Sequence, residues 1–378
     1  MKKQPLVSVF LPYYNDAKYL PIAIESVLNQ TYQNFELILC NHATTDNCRE
    51  IAHSYNDSRI KHVDMERNEG AGGGLVFEAM LKAASGKYIK TLCADDMLCP
   101  NCLEIMVGYM ESHTNIDFAF GDVEYIDENG RDLHEDWFHQ RIGFDIKDKE
   151  PDLIRKYSMG ISMLPYIGNI SKREIFNDIQ IEKTFVMMFD MSLWLQLLCA
   201  GHKCAFIKQQ VCNYRIHVGQ MSSLKKEKLA FYISWFESAS FYQYLLKMKD
   251  IALVKSVFPE SKYVNKLQDV CDIPFFIAYE MYNRQKPMYD ITMNKLLNDD
   301  KTREHLMKTF GFGIKELREL RKADFNAEHP NKNMKQKIYN MSSANLDLYA
   351  LSFLVFRKLF KYVTFDRFRH HKKKKYSV

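Results

Sequence analysis

Two aspartates, Asp95 and Asp96, follow the apolar run Tyr88 to Leu92 directly. Adjacent carboxylates at the end of a strand repel one another and lose hydration, and a hard divalent cation shared with substrate phosphates would compensate both costs. The alternative is a solvated turn in which Asp96 caps the next helix. A glycine-rich stretch containing Asn68 and Gly70 precedes a helical run, where exposed amides either cradle a phosphate or form a plain flexible loop. It completes neither a dinucleotide fingerprint nor a Gly-Lys-Ser/Thr phosphate loop. Asp190 opens the run MMFDMSLWLQLL, as a helix N-cap or as a general base against apolar surroundings. His217, in NYRIHVGQMS, is a metal ligand or a polar residue at a strand end.

The elements that must position these groups alternate. Short apolar runs at Leu6 to Leu11, Phe35 to Leu39, Arg59 to Val63, Tyr88 to Leu92 and Phe118 to Ile126 read as strands. Helical spacing fills the gaps at Leu20 to Asn29, Asp46 to Tyr55, Leu75 to Ala84 and Cys102 to Ser112. This alternation predicts a mostly parallel sheet with helices on both faces. Asp127-Glu128-Asn129-Gly130 predicts a hairpin turn. A helix is expected over Asp190 to Ala200, an extended segment over Ala205 to Ile216, and a mainly helical region beyond Lys225. Open α/β sheets bind ligands at the carboxyl ends of their strands, so the loops at residues 12–15, 40–46, 68–74 and 93–96 are the places to look.

The chain has 378 residues, 47% of them hydrophobic and 26% charged, which excludes wholesale disorder and fibrous repeats. Nine cysteines at irregular spacing read as free thiols of a reducing compartment, the cytoplasm. No run suits a membrane span, and the amino end lacks a signal cleavage site. Arg357 to Lys375 carries a local charge of +8, which leaves −3 for the remainder of a chain whose net charge is +5. The body therefore shows no nucleic-acid footprint. The segment Leu348 to Lys375 suits an anionic membrane surface, or is a packed terminal helix with a solvated tail.

Taken in order, these pieces resemble the family 2 glycosyltransferases of the GT-A fold. The likeness runs through Val7-Ser8-Val9, Pro12-x-Tyr14-Asn15, Glu25-Ser26-Val27-Leu28-x-Gln30-Thr31-Tyr32 and Phe35-Glu36-Leu37-Ile38. It continues with Thr44-Thr45-Asp46, Asn68-x-Gly70, Ala84-Ser85-Gly86, Ala94-Asp95-Asp96, Tyr125-Ile126-Asp127, Asp190-x-x-Leu193-Trp194 and Tyr214-Arg215-x-His217. The resemblance implies a Rossmann-like, mixed and mostly parallel sheet over residues 1–222. A helical extension (223–345) and a basic amphipathic helix with a polylysine tail (346–378) would follow.

It also implies inverting transfer of a sugar from a nucleotide diphosphate donor to an acceptor hydroxyl, with Mn²⁺ or Mg²⁺ as cofactor. Asp95 would hold the metal with His217, and Asp190 would be the base. Pro12, Tyr14, Asn15, Asn41, Asn68, Gly70, Ala94, Asp96 and Arg215 would bind the donor, Arg215 as a clamp on the diphosphate. A saccharide or lipid-linked saccharide is the expected acceptor, in bacterial surface-polysaccharide assembly at the inner face of the plasma membrane. The sequence departs from the family at Asn41-His42, Ala43-Thr44, Cys93, Phe189 and Leu75-Val76-Phe77. An asparagine suits uracil better than guanine, which favours a UDP or dTDP donor. A thiol replaces a carboxylate poorly for a hard cation, so weak metal affinity is expected. The rival readings are a GT-A fold kept as a binding or scaffolding module and, last, nucleotidyl transfer to a sugar phosphate.

Overall fold

The computed structural model describes residues 4–68, 73–136, 145–161, 164–220 and 227–328. Gly70 and the basic segment 346–378 lie outside the described residues. The chain divides into two compact units, Met1–Gly311 and Phe312–Val378.

In the first unit, all seven residues of β2 (Phe35–Asn41) and six of the seven in β1 (Val7–Tyr13) are buried. Strands this apolar suit the middle of a parallel sheet covered on both faces. With them run β3 (Ile60–Asp64) and β4 (Tyr88–Thr91), parallel and in register, Val7 opposite both Phe35 and Tyr88. The sheet is completed by β5 (Met97–Leu98), β6 (Phe118–Ile126), β7 (Asp132–Asp136), β8 (Asn169–Lys172) and β9 (Cys204–Arg215). Its order is β3-β2-β1-β4-β8-β6-β9-β5, with β7 paired to β6. Strand β8 is antiparallel to both neighbours, while β9 returns parallel to β6. The sheet is thus mixed and mostly parallel, as expected.

Side chains alternate across it. Val7, Val9 and Leu11 pack into one core with α1 (Leu20–Leu28), α2 (Cys48–Ser54) and α4 (Cys102–Ser112). Phe10 points the other way and meets Phe77 of α3 (Gly74–Ala83), ring centroids 5.4 Å apart. The hairpin expected at Asn129-Gly130 joins β6 to β7. The Asp127 carboxylate accepts from the amides of Asn129 and Arg131, and Gly130 takes a left-handed φ of 84°.

Three elements escaped the sequence reading: the two-residue β5, β8, and helix α5 (Glu150–Ser158). Strand β8 is held partly by a lysine. Lys90 of β4 has no exposed surface, and its ammonium donates to the carbonyls of Thr91 and Ile167 and to the Cys212 sulfur.

Beyond the sheet come α6 (Phe189–Cys199), α7 (Glu227–Phe241), α8 (Ile251–Val257), α9 (Ile273–Glu280), α10 (Lys286–Asn298) and α11 (Asp300–Phe310). The described residues 227–328 are mainly helical, as the sequence predicts. Arg155 of α5 donates to the carbonyls of Ser256 and Val257 and so satisfies the carboxyl end of α8. Through Gly311, these helices belong to the same compact unit as the sheet. In the second unit the described element is α12 (Ile314–Glu328), where the Gly313 amide donates to Glu316 at 2.9 Å. Among the described residues, no helix is long and apolar enough to cross a membrane.

Candidate active site

The parallel strands deliver five loops to one edge of the sheet: those after β1, β2, β4, β6 and β9. Turning out of β4, the Asp96 amide donates to the Cys93 carbonyl and presents Asp95. The Asp95 Oδ2 lies 3.1 Å from Nε2 of His217, which follows β9. Residues more than a hundred positions apart in the chain therefore meet because β5 pairs antiparallel with β9, Met97 opposite Asn213.

Asp96 is 2% exposed and takes the backbone amide of Arg215 at 2.8 Å. Burial, then the neighbouring Asp95 charge, holds its carboxyl well above the usual carboxylate range. Cys93, Asp95 and Asp96 offer ligand atoms within 4.8 Å of one another. Burial, reinforced by Asp96 and Asp95, keeps the Cys93 thiol far above its ordinary pKa, so it remains protonated and is a poor ligand for a hard cation. Asp16, in the β1 loop, is pushed up to about 6 by burial and by Asp95. The oxygen and nitrogen donors of Asp95 and His217 fit a divalent cation of the Mn²⁺ or Mg²⁺ kind.

Arg215 is turned inward. Placed as a diphosphate clamp from the sequence, it is 2% exposed, with Nε donating to the Asp95 carbonyl at 2.8 Å and Nη1 to the Asp127 carbonyl at 3.2 Å. Its guanidinium also lies 4.8 Å from the Tyr19 ring, which in turn packs 4.9 Å from the His217 ring. The arginine therefore lies beneath the aspartate turn and holds it in place.

Asn41 is likewise engaged by its own loop. Its amide nitrogen donates to Asp64 and its oxygen accepts from the Thr44 amide, each at 2.9 Å, and the residue is 5% exposed. The side chain organises the loop after β2. Asn15, with φ at 56°, binds the same loop through Thr44 and Thr45. Pro12 pairs opposite Cys40, and Tyr14 stays exposed with its ring against His42. Ala94 is buried under the aspartate turn and Asn68 is half-buried after β3.

Asp190 is not the N-cap. Helix α6 begins at Phe189 with Met188 as its cap, and Asp190 accepts the amide of Met191 in the first turn. Its charge reaches Cys93 and Tyr166 and contributes to raising both. What holds this helix start was missed from the sequence. Glu237 of α7 accepts the backbone amides of Val186, Met187 and Met188 at 2.6, 3.1 and 2.9 Å. One carboxylate thus takes three donors just ahead of the Asp190 turn, a role with no local sequence signal.

Fold and site define a class: a mixed α/β protein whose strand ends gather acids and a histidine. The chain belongs to glycosyl transferase family 2, whose profile matches residues 8–179. It is 32% identical over 235 residues to an uncharacterized glycosyltransferase of Methanocaldococcus jannaschii, covering 61% of this chain and 78% of that one. It is 31% identical over 225 residues to the UDP-Glc:alpha-D-GlcNAc-diphosphoundecaprenol beta-1,3-glucosyltransferase of Escherichia coli, covering 59% and 82%. Among solved structures it is similar to S. aureus TarS 1-349, with a TM-score of 0.48 and 14% identity over 86% of this chain and 92% of that one. The protein is a glycosyltransferase with bacterial polysaccharide glycosyltransferases among its relatives.

Proposed function

We propose that this enzyme transfers a sugar from a UDP-sugar to a hydroxyl of a lipid-linked saccharide, with inversion at the anomeric carbon. The observation that carries the reading is the meeting of Asp95 and His217 at 3.1 Å, beside a Cys93 thiol that the charge of Asp190 also reaches. The Escherichia coli relative, with a UDP-Glc donor and a diphosphoundecaprenol-linked acceptor, supports the donor and acceptor classes.

Asp95 and His217 would hold Mn²⁺ or Mg²⁺, which when bound neutralises charge developing on the departing nucleoside diphosphate. Asp190 takes the proton of the acceptor hydroxyl as its oxygen bonds to the anomeric carbon and the bond to the diphosphate oxygen breaks. Arg215 keeps Asp95 in place through its carbonyl, and Tyr14 with Pro12 borders the nucleobase. The basic segment 346–378 would dock the enzyme on the anionic inner leaflet, where such an acceptor resides.

Calorimetry with UDP, dTDP, GDP and CDP, with and without Mn²⁺, tests the donor. UDP should bind, and more tightly with Mn²⁺; preference for GDP, or no nucleotide binding by folded protein, overturns the reading. Asp190→Asn should lower turnover on UDP-glucose by about 10²- to 10⁴-fold while UDP affinity holds.

A further inference from the structure

A second group of ligating side chains stands in the helical region, well apart in sequence from the strand-end site. Cys271, Asp272 and His305 bring a sulfur, a carboxylate oxygen and an imidazole nitrogen within 4.8 Å of one another. The His305 Nε2 lies 2.6 Å from Asp272 Oδ1, and Cys271 Sγ lies 4.0 Å from the same oxygen. Cys271 and Asp272 precede α9, whereas His305 is on α11.

Two features set this group apart from an ordinary ion pair. Asp272 is the N-cap of α9, yet its carboxylate makes no capping bond and turns toward the histidine and the thiol. The carboxylate is also almost wholly buried, at 1% exposure, with the His305 imidazole as its close side-chain neighbour. Asp269 stands at the rim, accepts the Cys271 amide at 2.9 Å and feels the charge of His305.

We propose that Cys271, Asp272 and His305 form a zinc site that ties the start of α9 to α11. Sulfur, nitrogen and oxygen donors together select a borderline ion such as Zn²⁺ over Mg²⁺, Mn²⁺ or Ca²⁺. Ligand bonds of about 2.0 to 2.3 Å put tetrahedral ligand atoms roughly 3.3 to 3.7 Å apart, so shifts of under about 1 Å would close the set. On binding, the Cys271 thiol releases its proton to solvent and ligates as the thiolate. The fourth position falls to water or to Asp269.

Co²⁺ titration of the full metal-free chain tests this, in a Cys93→Ser background that removes the thiol of the strand-end cluster. A thiolate-to-cobalt charge-transfer absorption should saturate at one equivalent and vanish when Zn²⁺ is added. Cys271→Ser should abolish it, and His305→Ala should weaken Co²⁺ binding at least tenfold. Folded protein with no such absorption, or an absorption that survives Cys271→Ser, overturns the proposal. Neither result depends on the donor or the acceptor of the transferase.

Discussion

Ala43 carries a left-handed backbone, φ 54°, in the loop that Asn41 and Asn15 organise. A side chain there costs about 1 to 2 kcal/mol, and glycine would relieve it at an unfolded-state cost of about 0.5 to 1 kcal/mol. Ala43→Gly should therefore stabilise the protein by about 0.5 to 1 kcal/mol, seen as a small rise in thermal midpoint. Arg215 is expected to matter in the opposite direction. Arg215→Met would leave the carbonyls of Asp95 and Asp127 without this donor, at about 1 to 3 kcal/mol for each that stays buried. Denaturant unfolding should record that loss, and calorimetry should record weaker Mn²⁺-dependent UDP binding. At this scale the sequence disclosed which residues gather, but not which way they face. A strand-end arginine and a loop asparagine look alike in sequence whether they meet a ligand or their own backbone.

Among the elements, the alternation of apolar runs and helical spacing located the strands β1 to β4, β6 and β9 and helices α1 to α4 and α6. Strand β8 was invisible because its four residues, Asn-Ile-Ser-Lys, lack the apolar run that betrays a central strand. Asn169 and Ser171 are buried there through hydrogen bonds to each other and to the sheet backbone, a solution found only after β4 and β6 are in place. Helix α6 illustrates a related dependence on distant chain. Its Met188 cap offers no side-chain bond, and the acceptor comes from Glu237, about fifty residues later. Glu237→Gln keeps one acceptor oxygen but turns an amine toward backbone donors. Amide exchange at residues 186–188 should accelerate at least tenfold, and turnover on UDP-glucose should fall while UDP affinity is kept. Unchanged exchange would show that the helix start holds without this carboxylate.

For the molecule as a whole, acid stability has a named source. Glu36 of β2 accepts from Ser8 of β1, Lys61 of β3 and both the amide and hydroxyl of Ser85, at 2.5 to 2.8 Å. Burial opposes ionisation, but these bonds outweigh it and bring the carboxyl down to about 2 from 4.5. A depressed folded pKa stabilises the fold fully above pH 4.5, and that contribution is lost as pH falls toward 2. The shift corresponds to about 3 kcal/mol. Glu36→Gln should therefore be less stable than the native chain at pH 7, and the gap in denaturant midpoint should close between about pH 4.5 and 2. The basic tail belongs to this scale too. Deleting residues 357–378 removes a local charge of +8 and should release the enzyme from anionic vesicles in a sedimentation assay. Undiminished vesicle binding would rule out the tail as the anchor.

Lys90 makes the centre of the sheet chemically legible. With no exposed surface and its ammonium held by two carbonyls and a sulfur, it is closed to amine-reactive reagents while the sheet is intact. Surface lysines such as Lys82 react at all times. The ratio of label at these two positions, read by mass spectrometry, would count the molecules whose β4 and β9 have parted, including any local opening that leaves the peripheral helices folded.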